Sequence, residues 1–549
     1  MRVPVELNWW DRLVSVFSPE RALRNGMMRA KLAAGAHLGA STVSRAMRGW
    51  YPGGGSADAD SLAELPLMRE RSRDMIRNEP IAGTWVRDHV SNTIGSGLVM
   101  QSAPELGLLA GVPEEAVEAF QEIYEPVFEF WGSRKTCDYE RRQPWSGVCS
   151  LGLRSMHENG DVLGIIRSRP SMETPFQTCV QLIEADRLAN PDGRNDGMPD
   201  PRGRGNTVSG GVEHTADGEP VAYWILDQHP GTRGFRQGPR TWRRVPARNS
   251  LGHPLVLHAM RPLRVGQSRG IPTLASVTER IHQLTGYDKA MIDRAMIDAF
   301  FAVAITRPSG TTIPQLAGWD DKENAERAGA GEVELASGMA TVLPPGAEVK
   351  TIASSAPNSQ YDPFTKALRR TVTARLGSGE GVLMRSLDAS FSAARAEIAL
   401  TWRTVFEERD LWAEMFCQPV NEAVLFEAVA LDIVSAPPGY FEGPLKRYAW
   451  TVSEWQGPPQ IQLDPVKEAI AARILIEEEL ATRTDMTATL SGGDWDSKHK
   501  RRAIEERRRR EDGTAKVGAP AQQQPQAQEP AGAPASEGTQ VGVDRSVSE

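Results

Sequence analysis

The sequence predicts an α+β protein built from several substructures, and three observations carry that expectation. Long stretches such as 273–304 and 391–435 place apolar residues three to four apart, the period of amphipathic helices. Between about 160 and 260, short runs rich in Val, Ile and Tyr alternate with Gly, Asp and Pro turns, as antiparallel strands do. At 549 residues the chain exceeds one ordinary core, and 40% hydrophobic with 24% charged residues is a globular rather than a disordered balance.

A formal net charge of -8 argues against a protein that coats nucleic acid by bulk attraction. It leaves room for one that encloses DNA and lets it slide, because weakly repulsive walls suit that task. Cys137, Cys149, Cys179 and Cys417 have neither pairing nor metal-ligand spacing, so buried reduced thiols are expected. The start of the chain lacks a basic stretch followed by an apolar core, and no run of about eighteen apolar residues occurs. Neither a secretion signal nor a membrane span is therefore expected.

Taken in order, residues 1–60 read as an arm and linker. Trp9, Trp10, Leu13, Val14 and Phe17 form a short apolar patch, whose lack of a Lys-rich polar side favours docking on a neighbouring subunit over lying on a membrane surface, and WYPGGGSADAD follows as a flexible connection. Residues 61–265 read as one mixed domain. It opens with two helices broken at Glu79-Pro80 and a Gly-flanked strand in NTIGSGLVMQS. Further helices lead to a hairpin turn expected at Asn159-Gly160-Asp161. The strands in VLGIIRSRP and TCVQLIEADRLAN are expected to pair, a second hairpin to turn at Asp217-Gly218, and an apolar strand in LGHPLVLHAMRP to close the domain.

Residues 266–304 contain a helix in which apolar residues recur at Leu274, Val277, Ile281, Leu284, Ile292, Met296, Ile297 and Phe300, the spacing of an amphipathic helix. An acidic, Gly-rich insert with a β-hairpin occupies 305–358. A second helix fills 359–376, and a Gly-rich loop spans 377–390. A long helix and its return take 391–455. Residues 456–512 are helical, with Asp464 as N-cap, Pro465 in the first turn and a mixed Arg and Glu run at 499–512. From 513 to 549 the Ala, Pro, Gln, Gly and Ser composition predicts disorder.

Three groups mimic catalytic sets. Glu184 and Asp186 alternate on an expected strand and face one side, but Arg187 offers an ion-pair partner and no further ligand lies nearby in sequence. His253 and His258 are five apart on strand-like sequence and point to opposite faces. Gly377-Ser378-Gly379-Glu380-Gly381 lacks the Lys-Ser/Thr of a phosphate loop and follows a helix rather than a strand. No catalytic residue, cofactor or metal is expected.

FSPERAL (17–23), RERSRDMIRNEPIAG (69–83), NTIGSGLVMQ (92–101), LIEADRL (182–188), GEPVAYW (218–224), LRVGQSRGIPTLA (263–275), MRSLDASFSAARA (384–396), the segment 450–485 and GGDWDS (492–497) occur in an order and spacing that resemble the lambda-type portal proteins of tailed bacteriophages, up to about residue 512. One departure is that ARLGSGEGVLMRS lacks the hydrophobic-Pro step relatives often carry before the channel loop. The resemblance implies a portal fold of wing, helical stem, α/β clip and helical crown, in a ring usually of twelve copies around double-stranded DNA. It makes 61–265 the wing, 266–304 and 359–376 the stem, 305–358 the clip, 377–390 the channel loop, and 456–512 the crown with its C-terminal helices.

Channel-loop residues Arg375, Gly377, Gly379, Gly381, Arg385 and Ser386 are then candidates for DNA contact, and the stem carries Arg280, Lys289 and Arg294. The loop, with several glycines and few anchors, is expected to shift as DNA passes. Implied partners are other copies of the chain, the terminase large subunit, the major capsid protein and scaffold, and head-completion and tail-joining proteins, in the virion and in host cytoplasm during assembly. The missing phosphate loop fits a division of labour in which terminase hydrolyses ATP. The alternatives are a non-ring adaptor or scaffold of the phage head, or a carboxylate-dependent hydrolase using Glu184 and Asp186.

Overall fold

A computed structural model describes residues 49–232, 240–300, 360–386 and 390–514, with a few isolated positions before 49 and two-residue strands at 304–305 and 341–342. The apolar patch of the arm, the interior of the 305–358 insert and the tail from 515 lie outside the described residues. By their contacts the residues form two compact units, one ending at Gly493 and one starting at Asp494.

The first unit opens with α1 (Ala57–Ser61), α2 (Leu65–Asn78) and α3 (Pro80–Thr93). Glu79 is extended between α2 and α3, as a residue before proline must be, so the expected break falls where Pro80 begins α3. Strand β1 (Val99–Ser102), α4 (Glu114–Ser133) and α5 (Trp145–Asn159) follow. Strands β2 (Asp161–Ser168) and β3 (Thr178–Ile183) pair antiparallel, as their sequence runs predict.

A five-stranded sheet is built in simple order from β4 (Met198–Pro199), β5 (Thr207–Ser209), β6 (Val212–His214), β7 (Pro220–Leu226) and β8 (Trp242–Pro246). The hairpin at Asp217-Gly218 is its β6–β7 turn. Strand β9 (Val256–Met260) returns to the other side of β2, giving a second sheet of order β3-β2-β9. The structure is thus α+β, with antiparallel sheets and a helical majority around them.

Asn159-Gly160-Asp161 is not a hairpin turn. It joins α5 to β2, with Gly160 at φ 92 as the left-handed residue that ends a helix. The helical period up to Asn159 decides the matter, because Asn-Gly after a helix is a C-cap signal before it is a hairpin signal. The turn lies so close to Gly270 that a Cβ there would meet the Gly160 carbonyl oxygen at 1.9 Å. Gly270→Ala is therefore expected to cost at least about 2 kcal/mol of stability. Denaturant titration of the variant beside the wild type checks this, and an unchanged midpoint contradicts it.

Beside that turn lies a fully buried carboxylate. Asp161 accepts from Arg269 Nε (2.6 Å), Arg69 Nη2 (2.9 Å) and the Gly270 backbone N–H (3.2 Å), and lies 3.2 Å from His258 Nε2. Arg269 also donates to the carbonyls of Ala185, Leu188 and Gly210. One buried ion cluster thus ties α2, β2, β9 and the five-stranded sheet to the segment leading into the next helix. His258 has a structural partner here, while His253 lies outside β9 against Arg447.

Beyond Gly270 come a 3₁₀ turn at Thr273–Ser276 and helix α6 (Thr278–Phe300). Backbone strands β10 (Ala304–Ile305), at the start of the insert, and β11 (Thr341–Val342), within it, pair in parallel. Helix α7 (Tyr361–Arg375), the short α8 (Glu380–Met384) and α9 (Phe391–Trp412) follow. The long helix continues through a π turn at Ala413–Cys417 into α10 (Gln418–Ala430). Pro419 has no N–H to give to Met415, and the wider turn ahead of it relieves that clash. The turn carries Phe416 and Cys417 into the largest core, where Phe416 stacks on Trp412 and Trp145.

After α10 the chain forms α11 (Pro444–Thr451), absent from the sequence expectation, and strand β12 (Ser453–Gln456), which pairs antiparallel with β1. Helix α12 (Pro465–Glu477) has the expected cap, Asp464 accepting from the Lys467 N–H, and α13 (Arg483–Leu490) ends the unit. The second unit holds α14 (Trp495–Glu511), capped by Asp494. All four cysteines are free and buried, as expected. Among the described residues no helix is long and apolar enough to cross a membrane.

Candidate functional site

The base of α6 and the end of α7 share one apolar cluster with α2 and α3. Leu274, Val277 and Ile281 meet Val372, Leu376 and Leu383 over Trp85, Val86 and Met75. Farther along, Tyr287 stacks on Tyr361 at 5.9 Å, and the Tyr361 hydroxyl donates to Asp288 at 2.7 Å. That hydrogen bond holds the Tyr361 hydroxyl above its ordinary pKa. Residues 287–288 meet 361 while the first turns of α6 meet the last turns of α7, so the two helices run antiparallel.

The apolar stripe of α6 is buried only at its start. Leu274, Val277, Ile281 and Leu284 are buried, whereas Ile292 is 60% and Met296 52% exposed. Ile297 and Phe300 have side chains outside the described residues. Arg280, Lys289 and Arg294 are all exposed. At about 100° per residue, Arg280 and Arg294 lie on nearly one side of α6 and Lys289 on the other, so they form no single cationic stripe.

The loop after α7 is built by its glycines. The Ser378 N–H bonds the Thr373 carbonyl and the Gly377 N–H that of Ala374, with Gly377 at φ 68, the Schellman end of a helix. Trp85 Nε1 donates to the Leu376 carbonyl at 3.2 Å and satisfies another terminal acceptor. The Gly379 N–H then bonds Thr401 Oγ1 (3.0 Å) and the Gly381 N–H bonds Glu397 Oε1 (2.7 Å). A Cβ on Gly379 would run into the Glu397 side chain, which would have to swing away from the loop.

These contacts revise the expectation of a loop with few anchors. Residues 377–386 are tied to α9, contain α8 and bury Leu383. Residues 387–389 lie outside the described residues. The glycines serve a helix end and close packing, two needs that a bare Gly-rich spacing does not distinguish from mobility.

Charge in this region is largely internal. Glu380 pairs with Arg370 at 3.0 Å and lies 3.7 Å from Arg369. Arg385, left-handed at φ 56, pairs with Asp88 of α3 at 3.2 Å and stays 67% exposed on its side chain. Arg375 and Ser386 are exposed. A cavity of about 500 Å³ opens between α7 and the loop, lined by Lys366, Arg370, Thr373, Ser378, Glu380 and Glu397. Its carboxylates and cations offset one another, which suits neither a nucleotide phosphate nor tight DNA binding.

Glu184 and Asp186 do not sit on a strand. β3 ends at Ile183, Glu184 precedes a 3₁₀ turn and Asp186 lies within it. Their partner is not Arg187, which donates to the carbonyls of Leu226 and Asp227. Arg73 pairs with both, Arg69 approaches Asp186 at 3.6 Å, and His229, distant in sequence, bonds Asp186 at 3.1 Å. Burial opposes the charge on Asp186, but Arg73 and then Arg69 hold its carboxyl below the ordinary value. A carboxylate so neutralised is a structural ion pair and a poor general base at neutral pH.

The family model described as "Phage portal protein, lambda family" matches residues 43–409. "Portal protein B" of Escherichia phage lambda is 25% identical over 476 residues, covering 83% of this chain and 87% of that protein. "Portal protein" of Escherichia phage N15 is 25% identical over 467 residues, covering 82% and 86%. Among solved structures, "Neck of empty GTA particle computed with C6 symmetry" is similar at a TM-score of 0.40 and 15% identity, over 80% of this chain and 94% of that one. "Neck of native GTA particle computed with C12 symmetry" is similar at a TM-score of 0.37 and 14% identity, over 83% and 99%.

Proposed function

The chain belongs to the lambda family of phage portal proteins, and from that premise we propose that copies of it close into a ring at one capsid vertex, through which double-stranded DNA enters during packaging and leaves on ejection. The observation that carries this reading is the extent of the family match, which includes α6, the insert, α7 and the glycine loop in one continuous span. In this reading 61–265 is the wing, α6 and α7 are the stem, 305–358 is the clip that meets terminase, and 377–390 is the channel loop. The protein is a conduit and not an enzyme, and ATP hydrolysis belongs to the motor docked on it.

Surface chemistry supports assembly. Ile292 and Met296 are left uncovered on α6. Val466, Ile470 and Ile474 repeat every four residues along α12 and are 69%, 48% and 48% exposed. Apolar residues on one helical stripe without cover from their own chain are what a neighbouring copy would bury. The balanced charge along the stem and loop supports sliding rather than gripping, since each firm phosphate contact adds a salt-sensitive cost to movement.

The reading is tested by packaging. Capsids assembled with the cognate shell and terminase proteins are expected to take up nuclease-resistant DNA only when this chain is present. Equal uptake by capsids lacking it contradicts the proposal.

A further inference from the structure

We infer that His89, His157 and Glu408 form a buried site for one divalent transition-metal ion of the zinc type, which joins α3, α5 and α9. The three side chains come from sequence positions far apart, and one donor atom from each lies within 4.8 Å of the other two. All three residues are buried, at 8%, 3% and 2% exposure. Two imidazoles and a carboxylate are the nitrogen and oxygen donors that zinc accepts, and a water can take a fourth position.

The orientation of the donors points to an ion between them. His157 Nε2 and Glu408 Oε1 are both buried and have no hydrogen-bond partner. They face each other at 3.9 Å. A hydrogen bond between them needs about 2.8 Å, whereas two ligands on a tetrahedral ion with bonds of about 2.0–2.1 Å stand about 3.3–3.4 Å apart. The observed separation is nearer the second value. Leaving both atoms unpaired in an apolar interior is costly, and a bound cation removes that cost at both.

The opposite edges of the ligands are already held. His157 Nδ1 lies 3.1 Å from Thr273 Oγ1, and Glu408 Oε2 accepts from Arg261 Nη1 at 3.2 Å. Such outer partners fix ring and carboxylate orientation in metal sites. Trp85 stacks on His89 at 5.0 Å and meets His157 edge-on at 5.2 Å, closing the site with an apolar wall. Arg261 is the nearby opposing charge, and it is shared with the exposed Glu407.

Glu184, Asp186 and His229 are a second group with donor atoms close enough together, but they are partly exposed and Arg73 already pairs with both carboxylates. The buried trio also sits where a cross-link has consequence. α3 supplies the Trp85 bond to Leu376, and α9 supplies the Glu397 and Thr401 anchors of the glycine loop. An ion at this point would fix the spacing of the helices that hold the loop.

The test uses the full-length protein, stripped with chelator, equilibrated with Zn²⁺ and desalted. Mass spectrometry of metals is expected to find about one zinc per chain, and Co²⁺ in its place to give the visible absorption of a four-coordinate ion. His157→Gln and Glu408→Gln are expected to lose that ion, while Asp186→Asn keeps it. If the first two variants do not fold, the wild-type stoichiometry and the Co²⁺ spectrum still decide. A folded wild-type chain that retains no zinc and shows no Zn²⁺-dependent shift in melting overturns the proposal, as does loss of the ion in Asp186→Asn alone.

Discussion

Asp161→Ala is expected to lower the stability of the first unit by about 3–5 kcal/mol, a large fraction of the stability of an ordinary domain. The substitution leaves Arg69 and Arg269 buried with their shared counter-ion gone, and an uncompensated buried charge costs far more than an exposed pair gains. Both arginines are nearly inaccessible, with side chains 4% and 3% exposed. Asp161→Asn keeps the shape and loses the charge, so most of the loss should persist. Urea unfolding followed by tryptophan fluorescence measures the difference. A loss below about 1 kcal/mol would mean the cluster is not what joins the sheets to α2.

The same carboxylate sets an acid limit. Burial disfavours its charge, but Arg269 and then Arg69 overcome that and hold Asp161 well below the ordinary 3.8. A group whose native pKa is depressed contributes fully above its unfolded value and loses that contribution as pH falls through the native one. Wild-type stability is therefore expected to hold down to about pH 4 and to fall below it, and Asp161→Asn should flatten that limb. Unfolding free energy measured from pH 6 to pH 2 checks the sign, and a wild-type curve as flat as the variant's contradicts it.

Glu397→Ala is expected to release the glycine loop with less effect on the whole unit. It removes the carboxylate that accepts the Gly381 N–H at 2.7 Å, and a hydrogen bond to a charged group contributes about 1.5–3 kcal/mol. Amide exchange across 379–386 should accelerate about tenfold to a hundredfold, at about 1.4 kcal/mol per decade. Exchange in α4 and α5 should barely change, because their core does not include Glu397. Equal protection of the loop in variant and wild type would show that Thr401 and the Schellman turn suffice without Glu397.

The elements with local punctuation were legible from sequence. Pro80 begins a helix, Asp464 caps one, Asp217-Gly218 turns a hairpin, and the β2 and β3 runs pair. Each is fixed by chemistry within a few residues. What escaped depends on distant chain. Glu184 and Asp186 look available until Arg73 and His229 arrive. The glycine loop looks free because its anchors, Glu397 and Thr401, lie a helix later. The buried trio was invisible for the same reason, since His89, His157 and Glu408 share no spacing. The spacing of apolar residues along α6 marked an amphipathic helix but not how far its own chain covers it, since Leu284 is buried and Ile292 and Met296 are exposed.

Mass and shape of the purified full-length protein test the central claim most directly. Under assembly conditions, mass photometry is expected to give a discrete multiple of the 60.1 kDa chain, and electron images are expected to show rings with a central hole wide enough for a DNA duplex. A stable species at the mass of a single chain, with no rings in the images, would contradict the account.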